Sequence, residues 1–129
     1  MSDPSTRPAI ARLAADVAAA RQQAELPAWA VHDGCLRRRI DTSGWKATLM
    51  VANTIGHLAE VAWHHPELAV AYASVTVSLS THEAGGLTER DFALAAKIES
   101  VVMWRPGTEP GAVLEGTPDD PRYRYIDYR

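Results

Sequence analysis

A single cysteine, Cys35, stands in a chain of 129 residues, so no internal disulfide can form and no cysteine cluster can hold zinc. That usage fits a reducing compartment. No apolar run approaches the ~18 residues of a membrane span. The opening MSDPSTRPAI carries no apolar stretch of signal-peptide length, and the expected location is therefore cytoplasmic. Positive charge is scarce too. The only lysines are Lys46 and Lys97, and the formal net charge is −3, against the basic surface that nucleic-acid binding needs. The one dense basic run, Arg37-Arg38-Arg39, sits between Leu36 and Ile40 and reads as a solvated strand face. Phenylalanine occurs once, at Phe92. A chain of this length is expected to fold as one domain with a core of its own.

Hydrophobic periodicity supplies the elements. Ser5 or Thr6 is placed to cap a helix that Pro8 enters near its first turn, with Ile10, Leu13, Val17 and Ala20 as its apolar stripe, ending before Leu26-Pro27. Trp29 to His32 and Cys35 to Ile40 flank Asp33-Gly34, a hairpin-turn pair. A second helix opens after Asp41-Thr-Ser-Gly, its stripe predicted to be Trp45, Leu49, Ala52, Ile55, Ala59 and Ala62, and Pro66 stops it. Leu68–Tyr72 and Val75–Leu79 read as a second strand pair, the latter alternating apolar and polar. Thr88, with Asp91 in the acid position of a capping box, starts a third helix running to about Met103. The expectation is an α+β fold: a four-stranded antiparallel sheet with three helices packed on one face, in the order α-β-β-α-β-β-α. Residues 1–104 form the predicted domain. Residues 105–129, rich in proline and glycine and ending in Tyr123-Arg-Tyr-Ile-Asp-Tyr, form an irregular extension whose end docks as a short extended segment.

Chemistry concentrates in two stretches. Glu60-Val-Ala-Trp63-His64-His65-Pro66-Glu67 lies at the end of the second helix, and Ser80-Thr81-His82-Glu83 leads through Gly85-Gly86 to Arg90-Asp91. Glu60 and His64 are spaced to share a helix face, where a carboxylate would orient the ring. Three imidazoles near turns suit proton transfer in both directions near neutrality. Each also has an ordinary explanation: a helix-terminal charge for His64 and His65, a strand-end surface residue for His82, a cap for Asp91, a solvated charge for Glu60. Adjacent histidines seldom aim both rings at one ion, and no metal site is expected.

These two strings, E-x-x-x-H-H-P-E and S-T-H-E-x-x-G-L-T-E-R-D, resemble the signature of the pterin-4a-carbinolamine dehydratases. The likeness is dense from Glu60 to Ile98 and thinner from Trp29 to Ala59. It implies dehydration of a 4a-hydroxytetrahydropterin to the quinonoid dihydropterin, in pterin cofactor recycling, with neither metal nor organic cofactor. By the resemblance His64, His65 and His82 are catalytic and Glu60 and Asp91 support them. His65 and His82 are expected to carry the protons, and His64 to orient the pterin or relay charge. Trp63, Pro66, Thr81 and Glu83 are the implied substrate contacts. A pterin substrate, no nucleic acid, no membrane and a homodimer or homotetramer are the implied partners. The chain departs from the family pattern at Trp63, usually polar, and at Leu68, usually aromatic. The alternative is a catalytically silent scaffold, as in relatives that assist RuBisCO assembly or stabilise a homeodomain factor; a third reading is a molybdopterin-related substrate.

Overall fold

The computed structural model describes residues 8–129, so the expected caps Ser5 and Thr6 lie outside the described residues. The first helix, α1, spans Ala15–Glu25 rather than starting near Pro8. Leu13 donates its backbone N–H to the Leu87 carbonyl at 2.8 Å, and Ala14 is extended. With that donor committed to the loop before the third helix, the segment from Pro8 cannot be helical. Ala18 is the buried residue of α1, while Val17 of the expected stripe faces water.

Strands β1 (Ala30–His32) and β2 (Cys35–Asp41) form the first hairpin. Asp33 and Gly34 both have positive φ, the conformation a two-residue type I′ turn demands. Strands β3 (Glu67–Ala71) and β4 (Ser74–Leu79) form the second, turning at Tyr72-Ala73. The sheet is antiparallel in the order β1-β2-β4-β3, with β2 and β4 central. Leu36, Arg38 and Ile40 of β2 and Val75, Val77 and Leu79 of β4 are buried. They pack under α2 (Trp45–Ala62) and α3 (Glu89–Val102), and Arg37 and Arg39 are exposed on the other face. Among the described residues no helix is long and apolar enough to cross a membrane.

Arg38 corrects the reading of the basic run as wholly solvated. A strand alternates its faces, so the middle of three consecutive arginines joins Leu36 and Ile40 on the inside. Its guanidinium is held by Glu99 of α3, at 3.1 Å from Nε and 3.2 Å from Nη2, and the same carboxylate accepts the Trp29 indole N–H at 2.8 Å. Glu99→Ala would leave a buried cation unpaired, a situation that costs several kcal/mol. We expect a loss of about 3 kcal/mol in urea unfolding; an unchanged midpoint would contradict this role for Glu99.

The phase of α2 also differs from expectation. Its buried face is Ala47, Thr48, Val51, Ile55 and Ala59, whereas Trp45 and Leu49 are exposed. Thr48 faces the sheet because its hydroxyl donates to the Tyr72 carbonyl at 3.0 Å and meets the Thr42 hydroxyl at 2.7 Å. That pair turns the helix so that Trp45, Leu49 and Met50 remain at the surface.

After a 3₁₀ turn at Pro106–Thr108 the last residues return to the core. β1 covers only the Cys35–Arg37 part of its side of β2. Further along, Asp127 donates its N–H to the Asp41 carbonyl, Ser43 donates to the Tyr125 carbonyl, and Ile126 bridges Thr42 and is buried in the core cluster.

Candidate active site

The end of α2 sets the site. Trp63 adopts a left-handed conformation at φ 53°, ψ 46°. Its N–H donates to the Glu60 carbonyl and the His64 N–H reaches back to the Ala59 carbonyl, the paired bonds of a Schellman termination. Glycine usually holds this position because a side chain there costs about 1 kcal/mol or more. The turn breaks helical phase after Ala62, and the expected Glu60–His64 pairing does not form. Instead Glu60 Oε1 lies 2.6 Å from His65 Nε2, both groups largely exposed, and the Trp63 ring meets the His65 ring edge-on with centroids 5.0 Å apart.

His64 turns inward to Asp91, with Nε2 2.6 Å from Oδ1. Asp91 is fully buried at the first turn of α3. Its other oxygen, Oδ2, accepts the Thr88 N–H at 2.9 Å, completing the expected capping box, and the Thr81 hydroxyl at 2.7 Å. Thr81 and Thr88, also fully buried, sit hydroxyl to hydroxyl at 2.7 Å. The proton directions follow. Thr81 spends its one proton on Asp91, so Thr88 donates to Thr81 and its own oxygen accepts the Arg90 N–H. Asp91 is then an acceptor on both oxygens, and His64 must present an N–H at Nε2. Its Nδ1 is left without a hydrogen-bond partner among the described residues, and since no described buried polar side-chain atom is unsatisfied, Nδ1 is reachable by solvent.

The structure thus gathers His64, Asp91 and Thr81 into one network and Glu60, His65 and Trp63 into a second on the outside. His82 is exposed in the 3₁₀ turn His82–Ala84 and is linked to the inner network through the peptide bond to Thr81. Glu83 accepts from Arg90 at 2.9 Å, and Pro66 is half-buried at the start of β3. One expected substrate contact is corrected: Thr81 has no exposed surface and its hydroxyl is engaged twice, so it positions Asp91 instead. Thr88 was not anticipated as part of this network beyond its capping role; its spacing to Asp91 was the available signal.

Residues 12–101 match the family model described as Pterin 4 alpha carbinolamine dehydratase. The chain is 44% identical over 82 residues to the protein named "Putative pterin-4-alpha-carbinolamine dehydratase" of Aquifex aeolicus, covering 64% of this chain and 83% of that one. It is 43% identical over 77 residues to the protein of the same name from Acidobacterium capsulatum, covering 60% and 84%. Among solved structures it is similar to a transcriptional coactivator/pterin dehydratase from Brucella melitensis, with a TM-score of 0.64 at 27% identity over 70% of this chain and 97% of that one.

Proposed function

The chain belongs to the pterin-4a-carbinolamine dehydratase family, and from that premise we propose that it removes water from a 4a-hydroxytetrahydropterin. In this reaction the proton leaves N5, the C4a–O bond breaks, the N5=C4a bond forms, and the hydroxyl departs as water once protonated. A base at N5 and an acid at the hydroxyl are sufficient.

The observation that carries the reading is the buried Asp91–His64 pair. A carboxylate fixing one imidazole N–H prepares the opposite nitrogen to take a proton and stabilises the imidazolium that results. His64 at Nδ1 is therefore assigned the N5 proton, a more active part than the orienting or charge-relaying one expected from the sequence. His65 and His82, both exposed, are assigned the protonation of the leaving hydroxyl and its return to water. Glu60 orients His65, and Trp63 is held edge-on against the same ring. The apolar surface at Trp45, Leu49 and Met50 of α2, with Val70 of the edge strand and neighbouring Tyr72, supports a homodimer or homotetramer. A light-scattering mass of one 14.0 kDa chain would contradict that assembly.

The deciding experiment is a stopped-flow assay with synthetic 4a-hydroxytetrahydropterin. Dehydration well above the spontaneous rate is expected. A rate equal to the spontaneous one would overturn the proposal in favour of a silent scaffold.

A further inference from the structure

Beside His64 a cleft of about 260 Å³ opens between α2 and α3. Leu58 and Val61 of α2 and Leu94 of α3 contribute apolar walls, and the polar side chains on its lining are His64, Arg90 and Lys97. Among the described residues no carboxylate lines it. The guanidinium of Arg90 is already committed, Nη1 to Glu83 at 2.9 Å and Nη2 to the Pro8 carbonyl at 3.0 Å. Lys97 takes part in no ion pair recorded among the described residues, and the uncompensated cation of the lining is therefore its ammonium. Arg90 and Lys97 are seven positions apart on α3, about 10 Å along the axis. The lining so carries an imidazole, His64, and a positive charge without an ion-pair partner among the described residues, Lys97.

We propose that this cleft receives a pterin bearing an anionic side chain, with the ring against His64 and a phosphate or carboxylate on Lys97. Placement of the ring rests on the dehydratase reading; the charge preference rests on the lining alone. An ammonium is a compact point charge suited to phosphate, and Lys97 is exposed, so its attraction is that of a surface pair. A neutral side chain gains no ion pair from Lys97.

Binding of unreactive dihydropterins, followed by their fluorescence, tests this without turnover. The probes are 6-hydroxymethyl-7,8-dihydropterin, its phosphate monoester, and 7,8-dihydrofolate with its carboxylates. At least one anionic probe is expected to bind about threefold or more tightly than the alcohol, the gain of one exposed ion pair; the tighter of the two identifies the anion. Lys97→Met should erase the advantage while leaving the alcohol's affinity unchanged, and Lys97→Arg should retain it. Equal binding of all three probes, or a preference that survives Lys97→Met, overturns the proposal. A charge preference without dehydration would keep the cleft assignment and remove the dehydratase reading. Dehydration without a charge preference would do the reverse.

Discussion

Asp91→Asn is expected to leave the domain folded and to slow dehydration by roughly 10²–10⁴-fold. The side chains are nearly the same size, but an amide has one acceptor oxygen where the carboxylate has two. That oxygen is needed where Thr81 and Thr88 both donate. The amide nitrogen then faces His64 Nε2 and donates to it, which forces the ring's proton onto Nδ1. The base is thereby inverted, its lone pair turned inward and its N–H outward. Stability should fall by only about 2 kcal/mol, because the cap bond and the Thr81 bond persist with a neutral acceptor. His64→Ala should be about as slow, and the double variant no slower than either, since two residues acting as one unit do not add. Full turnover in Asp91→Asn would show that His64 does not depend on this carboxylate.

The second large effect is at the exposed rings. His65→Ala and His82→Ala are each expected to lower kcat by roughly 10²–10⁴-fold, the range for loss of a positioned acid or base. Unfolding free energies should move by less than about 0.5 kcal/mol, as for other surface substitutions. The His65–Glu60 pair does not alter that expectation, because an ion pair so exposed contributes little. Measured together, kinetics and unfolding separate chemistry from folding. Near-normal turnover in both variants would restrict the acid–base work to His64.

Local rules carried most of the fold. Asp33-Gly34 announced its hairpin because both positions require positive φ, and Thr88 with Asp91 announced α3 because a capping box is a contact within one turn. The strand alternation from Val75 to Leu79 placed β4 with its buried face correctly. What local rules missed depends on partners distant in sequence. The phase of α2 is settled by the Tyr72 carbonyl, to which Thr48 donates across the helix–sheet boundary. The start of α1 is settled by the Leu87 carbonyl. At the site, the residue set was legible as a cluster of histidines and carboxylates, but its pairing was not. Spacing joined Glu60 to His64 on the assumption that the helix continued; the left-handed turn at Trp63 ended it and gave each histidine a different carboxylate. Nothing in a tryptophan signals that conformation. Arg38, by contrast, was within reach of the period-two rule that governs every strand.

The protonation of His64 can be read directly by two-bond proton–nitrogen correlation spectra of histidine-labelled protein, at a pH where the ring is neutral. The arrangement around Asp91 predicts a proton on Nε2 and a bare Nδ1, with the opposite tautomer in Asp91→Asn. A wild-type ring carrying its proton on Nδ1 would contradict the assignment of His64 as the base.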